Sequence, residues 1–166
     1  MTDAVDEVIA AWGRVEPDLD VWPTQVIGRL KRLGRLIDRE MKEFFAQFGL
    51  EYWEFDVLST LRRSGGPDGL TAGALIKTTM VTSGAITNRI DRMEAKGLVR
   101  RAADPKDRRT VRIQLSDKGR ELIDKVMPLH GDNQYRILGG MERDDLDQLV
   151  VLLRGLSESL GDTSLS

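Results

Sequence analysis

Two short stretches carry the side chains best suited to meet a polyanion. One is VTSGAITNRIDRMEAKG, which holds Ser83, Thr87, Asn88 and Arg92; the other is DPKDRR, which holds Lys106, Arg108 and Arg109. An amide such as Asn88 or a guanidinium such as Arg92 can satisfy two groups on a base edge at once. Hydroxyls such as Ser83 and Thr87 suit phosphate or base edges at close range. Three cations on one short turn repel each other unless something anionic meets them. Arginine at the tip of a narrow turn suits the negative potential of a minor groove. Asp107, between these cations, is placed to pair with a neighbouring arginine and hold the tip in shape. A solvated charge run and an ordinary amphipathic helix are the plain alternatives for each stretch taken alone.

Bond-making chemistry finds little support. The chain has no cysteine and one histidine, His130, so thiolate catalysis, disulfides and cysteine zinc sites are excluded. The carboxylates are scattered without metal-ligand spacing, and there is neither a glycine loop to cradle phosphate nor a nucleophile–base pair. We therefore expect no enzyme, no metal and no cofactor. His130 follows Pro128 in a segment read as part of a dimer interface. A pH-sensing role there is conceivable, and an ordinary interface histidine is the simpler reading.

The elements that position these residues follow from hydrophobic period and breakers. At about 100° per residue, Ile86, Ile90 and Met93 fall on one side of a helix running from 82 or 83 to 96, with Gly97 as its C′ residue. Gly84, Asn88, Asp91 and Ala95 fall opposite, with Thr87 and Arg92 on the flanks. A shorter helix precedes it, over 71–77. Residues 98–102 and 110–115 read as two strands around the DPKDRR turn, the second alternating Val111, Ile113 and Leu115. Upstream, Thr24 caps a long helix striped by Val26, Leu30, Leu33, Ile37, Met41, Phe44 and Phe48, and Gly49 stops it. A helix over 51–63 turns Phe55, Leu58 and Leu61 inward, and SGGPDG is a loop. Downstream, Ser116 caps a helix that Pro128 should kink or divide. The last helix, from about 142, carries Leu146, Leu149, Val150, Leu153 and Leu156 on one stripe. Trp22 and Trp53 read as packing residues.

This order predicts a mainly α (α+β) fold, a winged helix-turn-helix with flanking dimerisation helices. The parts are an extension over 1–23, a helical dimerisation region over 24–50 and 117–162, and a DNA-binding region over 51–116. The apolar stripes of the flanking helices are wide enough to pack against a second copy. A two-fold dimer also supplies two readers for two half-sites. Charge distribution agrees. Residues 71–120 hold twelve Lys/Arg against five Asp/Glu, a net of +7, whereas the rest holds thirteen against twenty-two, a net of −9. A basic block in an acidic chain is the footprint of a phosphate binder. No apolar run is long enough to span a bilayer, and MTDAVDEVIAAW carries acids where a secretory leader would carry cations. A cytoplasmic location without membrane attachment is expected.

Three pieces are specific: the helix exit NRIDRMEAKGLV, the turn DPKDRR, and the V-x-I-x-L-S-D-K-G lead into the next helix. In them the chain resembles the multiple-antibiotic-resistance regulator (MarR) family over about residues 24–160. The resemblance implies a homodimer, usually a repressor, that leaves a palindromic operator when a small molecule binds. A narrower likeness is to the urate-responsive subgroup, which has a tryptophan in an added first helix and an aspartate before the helix-turn-helix. That subgroup also has arginines in the recognition helix and the first wing strand. Trp12, Asp56, Arg89 and Arg101 match these positions. Arg89 lies beside the buried stripe of its helix, so a partly buried ion pair with Asp56 is its expected fate. A urate-like anion held by Arg89 and Arg101 under Trp12 would then compete with Asp56 and shift the recognition helix. Two other readings fit the same residues: a winged helix used for protein contact, and the same regulator answering to a different anion or a phenolic compound.

Overall fold

A computed structural model describes residues 2–78, 86–107 and 109–164. The chain forms two compact units, 1–43 and 44–166. Among the described residues, seven helices and three strands follow in the order α1 (Ala4–Val15), α2 (Thr24–Ala46), α3 (Tyr52–Ser64), β1 (Leu70–Thr71), α4 (Ala72–Thr78), α5 (Ile86–Ala95), β2 (Val99–Ala103), β3 (Val111–Leu115), α6 (Asp117–Ile137) and α7 (Arg143–Ser159). The mainly helical winged arrangement predicted from sequence is the one observed.

The first unit comprises α1 and most of α2. Asp3 and Asp6 close a capping box at the start of α1, satisfying N–H groups that helical bonding leaves free. The same two carboxylates grip Arg29 of α2 at 2.8 and 2.7 Å. Gly28 admits Val5: a Cβ there would stand 3.1 Å from the valine Cγ1. Trp12 on α1 is about half exposed. Trp22, expected to pack, is instead 68 % exposed, because it sits in the turn that opens α2 rather than on a helix stripe.

The second unit has its core where α3 crosses α6 and the sheet. Val57, Leu58, Phe45, Leu75, Met93, Ile123 and Val126 are fully buried. The expected inward residues of α3, Phe55, Leu58 and Leu61, are all in this core. His130 is buried too, its ring within 4.4–6.0 Å contacts of an aromatic group in which its own distances to Phe44, Phe45 and Phe55 are 6.0, 5.2 and 4.7 Å. It belongs to its own subunit's core rather than lying on an exposed interface face. Desolvation there holds its pKa below the ordinary value.

Three local readings need correction. Thr71 stands before the short helix rather than in its first turn: its hydroxyl accepts the Ala74 N–H at 3.1 Å, while Leu70 and Thr71 form β1, paired antiparallel with β3 through Leu70↔Ile113 and Thr71↔Arg112. Two residues are too few to show a period in sequence. Pro128 does not divide α6, which runs through it to Ile137. A mid-helix proline costs about 3 kcal/mol, but Ile123 and Val126 before it and His130 after it are buried. Each aliphatic contributes about 1.5–3 kcal/mol, enough to outweigh the proline. The strands begin one residue later than expected, with register Val99↔Leu115 through Ala103↔Val111. Ser116 caps α6 as expected, its hydroxyl accepting from the Gly119 N–H at 2.9 Å. Gly119 lets the helix start lie directly on the wing: a Cβ there would come within 1.9 Å of the Leu98 carbonyl oxygen.

Candidate nucleic-acid interface

Helix α5 is amphipathic in the predicted sense. Ile90 and Met93 are buried, while Thr87, Asn88, Asp91 and Arg92 are exposed. Its exit follows from Gly97 at φ +70, where the Leu98 N–H returns to the Met93 carbonyl at 2.9 Å. Beyond it, β2 and β3 form the wing. Lys106 and Arg109 are exposed at its tip. Ser83 and Arg108 lie outside the described residues.

The tip is organised by Asp104, which the sequence reading passed over. This buried carboxylate accepts from the backbone N–H groups of Lys106 and Asp107 at 2.7 and 3.2 Å and from the Arg112 guanidinium. Those bonds, the Lys106 N–H foremost and then Arg112, hold its pKa below the usual carboxylate range. Asp107 helps to hold the tip in shape, accepting from the Arg109 N–H at 3.0 Å and the Thr110 hydroxyl at 2.9 Å. The Asp-Pro pair at 104–105 is an Asx-turn signal that could have found this residue.

Arg92 and Arg89 share one aromatic platform. Their guanidinium carbons lie 5.2 and 5.3 Å from the Trp53 ring centre. Arg92 also donates to Glu51 at 2.5 Å, and the Trp53 indole N–H donates to the same carboxylate at 2.8 Å. The Glu51 pKa is lowered by these contacts, the indole first and then Arg92. Among the ion pairs of the described residues, the expected Asp56–Arg89 pair does not occur. Asp56 is buried on α3, and Arg89 turns to Trp53 instead, where a half-exposed cation keeps water on one side. Trp53 is thus more than a packing residue: it braces the start of α3 against the reading helix.

Arg101 pairs with two carboxylates of the neighbouring helix. From β2 its guanidinium reaches Asp91 at 2.5 Å and also Glu94, both on α5, and its backbone N–H donates to Glu94 at 3.1 Å. Its pKa is raised, chiefly by Asp91 and then by Glu94. The wing is therefore clasped to the reading helix by one cation between two carboxylates. A second tie joins α3 to the end of that helix, where Lys96 meets the buried Glu54. The carboxylate partners Glu51, Glu54, Asp91, Glu94 and Asp104 were not singled out from sequence, since each gains its meaning only from a residue distant along the chain. Among the described residues no group of His, Asp and Glu is arranged to hold a metal ion. No helix among them is long and apolar enough to cross a membrane.

A helix presenting Thr87 and Asn88 beside a two-stranded wing with a cationic tip defines the winged helix-turn-helix class of regulators. Residues 48–110 match the MarR family. The chain is 37 % identical over 156 residues to the HTH-type transcriptional regulator PecS of Dickeya dadantii (strain 3937), covering 94 % of each. It belongs to the MarR family, whose members are transcriptional regulators and not enzymes. Two solved structures share the fold. AbsC, a MarR family transcriptional regulator from Streptomyces coelicolor, superposes with a TM-score of 0.75 at 27 % identity, over 86 % of this chain and 96 % of that one. BpsR of Bordetella bronchiseptica, whose DNA binding is regulated by 6-hydroxynicotinic acid, superposes at 0.70 and 26 %, over 80 % and 92 %.

Proposed function

We propose that this chain is a homodimeric repressor that binds palindromic operator DNA and is released by a small anion of the urate type. Thr87 and Asn88 contact bases or phosphates directly, together with Ser83, and Lys106, Arg108 and Arg109 follow the adjacent minor groove. Arg92 joins them once it leaves Glu51. The dimer rests on α7, which buries no residue in the single chain and leaves Val150, Val151, Leu152 and Leu153 exposed. So much exposed apolar surface around one helix calls for a partner. Residence in the cytoplasm follows from operator binding.

The observation that carries the ligand reading is the Arg101 clasp. An anion that takes Arg101 competes with Asp91 and Glu94 and frees the wing from the reading helix. The same anion draws Arg89 from Trp53, and the buried Asp56 lies on the helix that carries this platform. Loss of that geometry weakens the grip on two half-sites at fixed spacing. Trp12, as an exposed indole, is the residue whose replacement by Ala tests for a stacking contribution. The ligand regulating BpsR, an aromatic acid, favours a second choice of effector, a flat monocarboxylate.

The experiment is a fluorescence-anisotropy titration with DNA from upstream of the chain's own coding region. Urate should release that DNA at or below about 1 mM, and Arg101→Ala should blunt the response. No release by urate from the unaltered protein overturns the ligand assignment; release by 6-hydroxynicotinic acid alone selects the second choice. For the DNA reading, Arg109→Ala should lower the slope of log affinity against log salt by about 1. An unchanged slope removes Arg109 from the interface.

A further inference from the structure

At the base of the wing, away from its tip, lies a cavity of about 340 Å³. That volume lies within the range of small-ligand pockets. Three arginines from three elements line it: Arg62 near the end of α3, Arg100 on β2 and Arg120 near the start of α6. Arg100 pairs with Gln114 across the hairpin, four residues back from the turn at Asp104. It neighbours Arg101 in sequence, so strand alternation sends the two side chains to opposite faces of the sheet. Arg101 serves the reading helix, and Arg100 serves this cavity.

The charge here is unbalanced. Arg62 is paired with Asp124 at 2.7 Å. Arg100 and Arg120 have no ion-pair partner among the described residues, which leaves two uncompensated positive charges on one concavity. Arg62 retains further N–H donors beyond the one given to Asp124. Guanidinium groups match carboxylate and phosphate oxygens in bidentate fashion, so this donor set suits an anion of charge −2 or more.

Part of the cavity wall is built before any ligand arrives. Gly69, at φ +74, lies so close on β3 that a Cβ would stand 2.1 Å from the Ile113 carbonyl oxygen. The Gln114 amide donates to the Asp68 carbonyl at 3.1 Å and holds the same loop down. Preformed walls lower the ordering cost of binding.

We propose that this cavity is an anion site separate from Arg89 and Arg101, and that it takes a compact molecule bearing two or more phosphate or carboxylate groups. Binding there ties α3, the wing base and α6 together. The proposal does not depend on the urate reading.

The test is calorimetric titration of the full chain, without DNA, at about 0.15 M salt, where exposed charge pairs are screened. Pyrophosphate and citrate are the two probes. The expected result is a dissociation constant of about 1 mM or tighter for at least one of them, weakened at least about tenfold by Arg100→Gln and by Arg120→Gln. Which probe binds identifies phosphate or carboxylate as the recognised group. Arg101→Ala and Arg109→Gln should bind the probe as the unaltered chain does. Both glutamine substitutions fall on exposed side chains, and their melting curves without probe report whether the fold is kept. Failure of both probes to bind the unaltered chain at about 10 mM overturns the proposal. Equal affinity in the folded Arg100→Gln and Arg120→Gln variants does so as well.

Discussion

Lys96→Met should destabilise this protein through a charge it leaves behind. Glu54 is fully buried at the start of α3. One of its oxygens accepts the Glu51 N–H at 2.9 Å and the Lys96 ammonium at 2.8 Å; the other lies 2.7 Å from that ammonium, off the line of a good hydrogen bond. Removing one partner of a buried ion pair costs about 3–5 kcal/mol, because the other charge remains without compensation. The Lys96 side chain is 40 % exposed, so water reaches one side of the pair and screening reduces the figure. We expect about 2–3 kcal/mol. For a chain of this size that corresponds to a fall in Tm of roughly 4–12 °C. Glu54→Gln in the same background removes the stranded charge, and an amide oxygen can still accept the Glu51 N–H. The double variant should therefore regain about 1–2 kcal/mol relative to Lys96→Met alone. Thermal unfolding at one protein concentration is the assay, since a dimer's Tm varies with concentration. A Lys96→Met Tm within about 1 °C of the unaltered chain, or a double variant no more stable than the single, refutes the reasoning.

Three further outcomes follow from the same geometry. His130 has a pKa below its ordinary 6.5 because burial disfavours the cation. Above that value both folded and unfolded chains hold it neutral; below it the unfolded chain takes up the proton first, so stability is lost as pH falls from 6.5 toward the folded pKa. His130→Phe, which suits the aromatic cluster, should flatten that acid limb in urea unfolding measured from about pH 7 to pH 5, and an unaltered limb would exclude His130 as its source. Glu51→Gln removes the carboxylate that holds Arg92, so operator affinity should rise about two- to fivefold in an anisotropy titration; unchanged or weaker binding would show that Arg92 reads DNA without leaving Glu51, or not at all. Gly119→Ala forces the start of α6 and the Leu98 carbonyl apart, and should cost at least about 2 kcal/mol in equilibrium unfolding. A smaller cost would mean that the junction yields easily.

Much of the fold was legible because it is written in local patterns. Apolar residues at helical spacing marked α2, α3, α5 and α7; Gly97 and Ser116 marked an exit and a cap; alternation marked β3. The family-specific turn at the wing and the helix exit before it carried the class of protein. These signals survive in sequence because each depends on residues within about one or two turns of each other. The exposed faces of α5 and of the wing tip followed from the same periods, and so did the candidate DNA contacts Thr87, Asn88, Lys106 and Arg109.

The partners of the charged residues were decided only by tertiary structure. No period in the chain tells Arg89 to choose the Trp53 ring over Asp56, since both lie on the same distant helix and differ by less than a turn. The Arg101 clasp on Asp91 and Glu94 needs the wing to fold back on α5. The cavity shared by Arg62, Arg100 and Arg120 needs three elements to meet. Packing also overruled a local rule at Pro128, where buried neighbours on both sides keep α6 whole. Hydrophobic period determines which face of an element turns inward, but ionic pairing falls off with distance in space. Distances between residues forty positions apart exist only once the chain has folded.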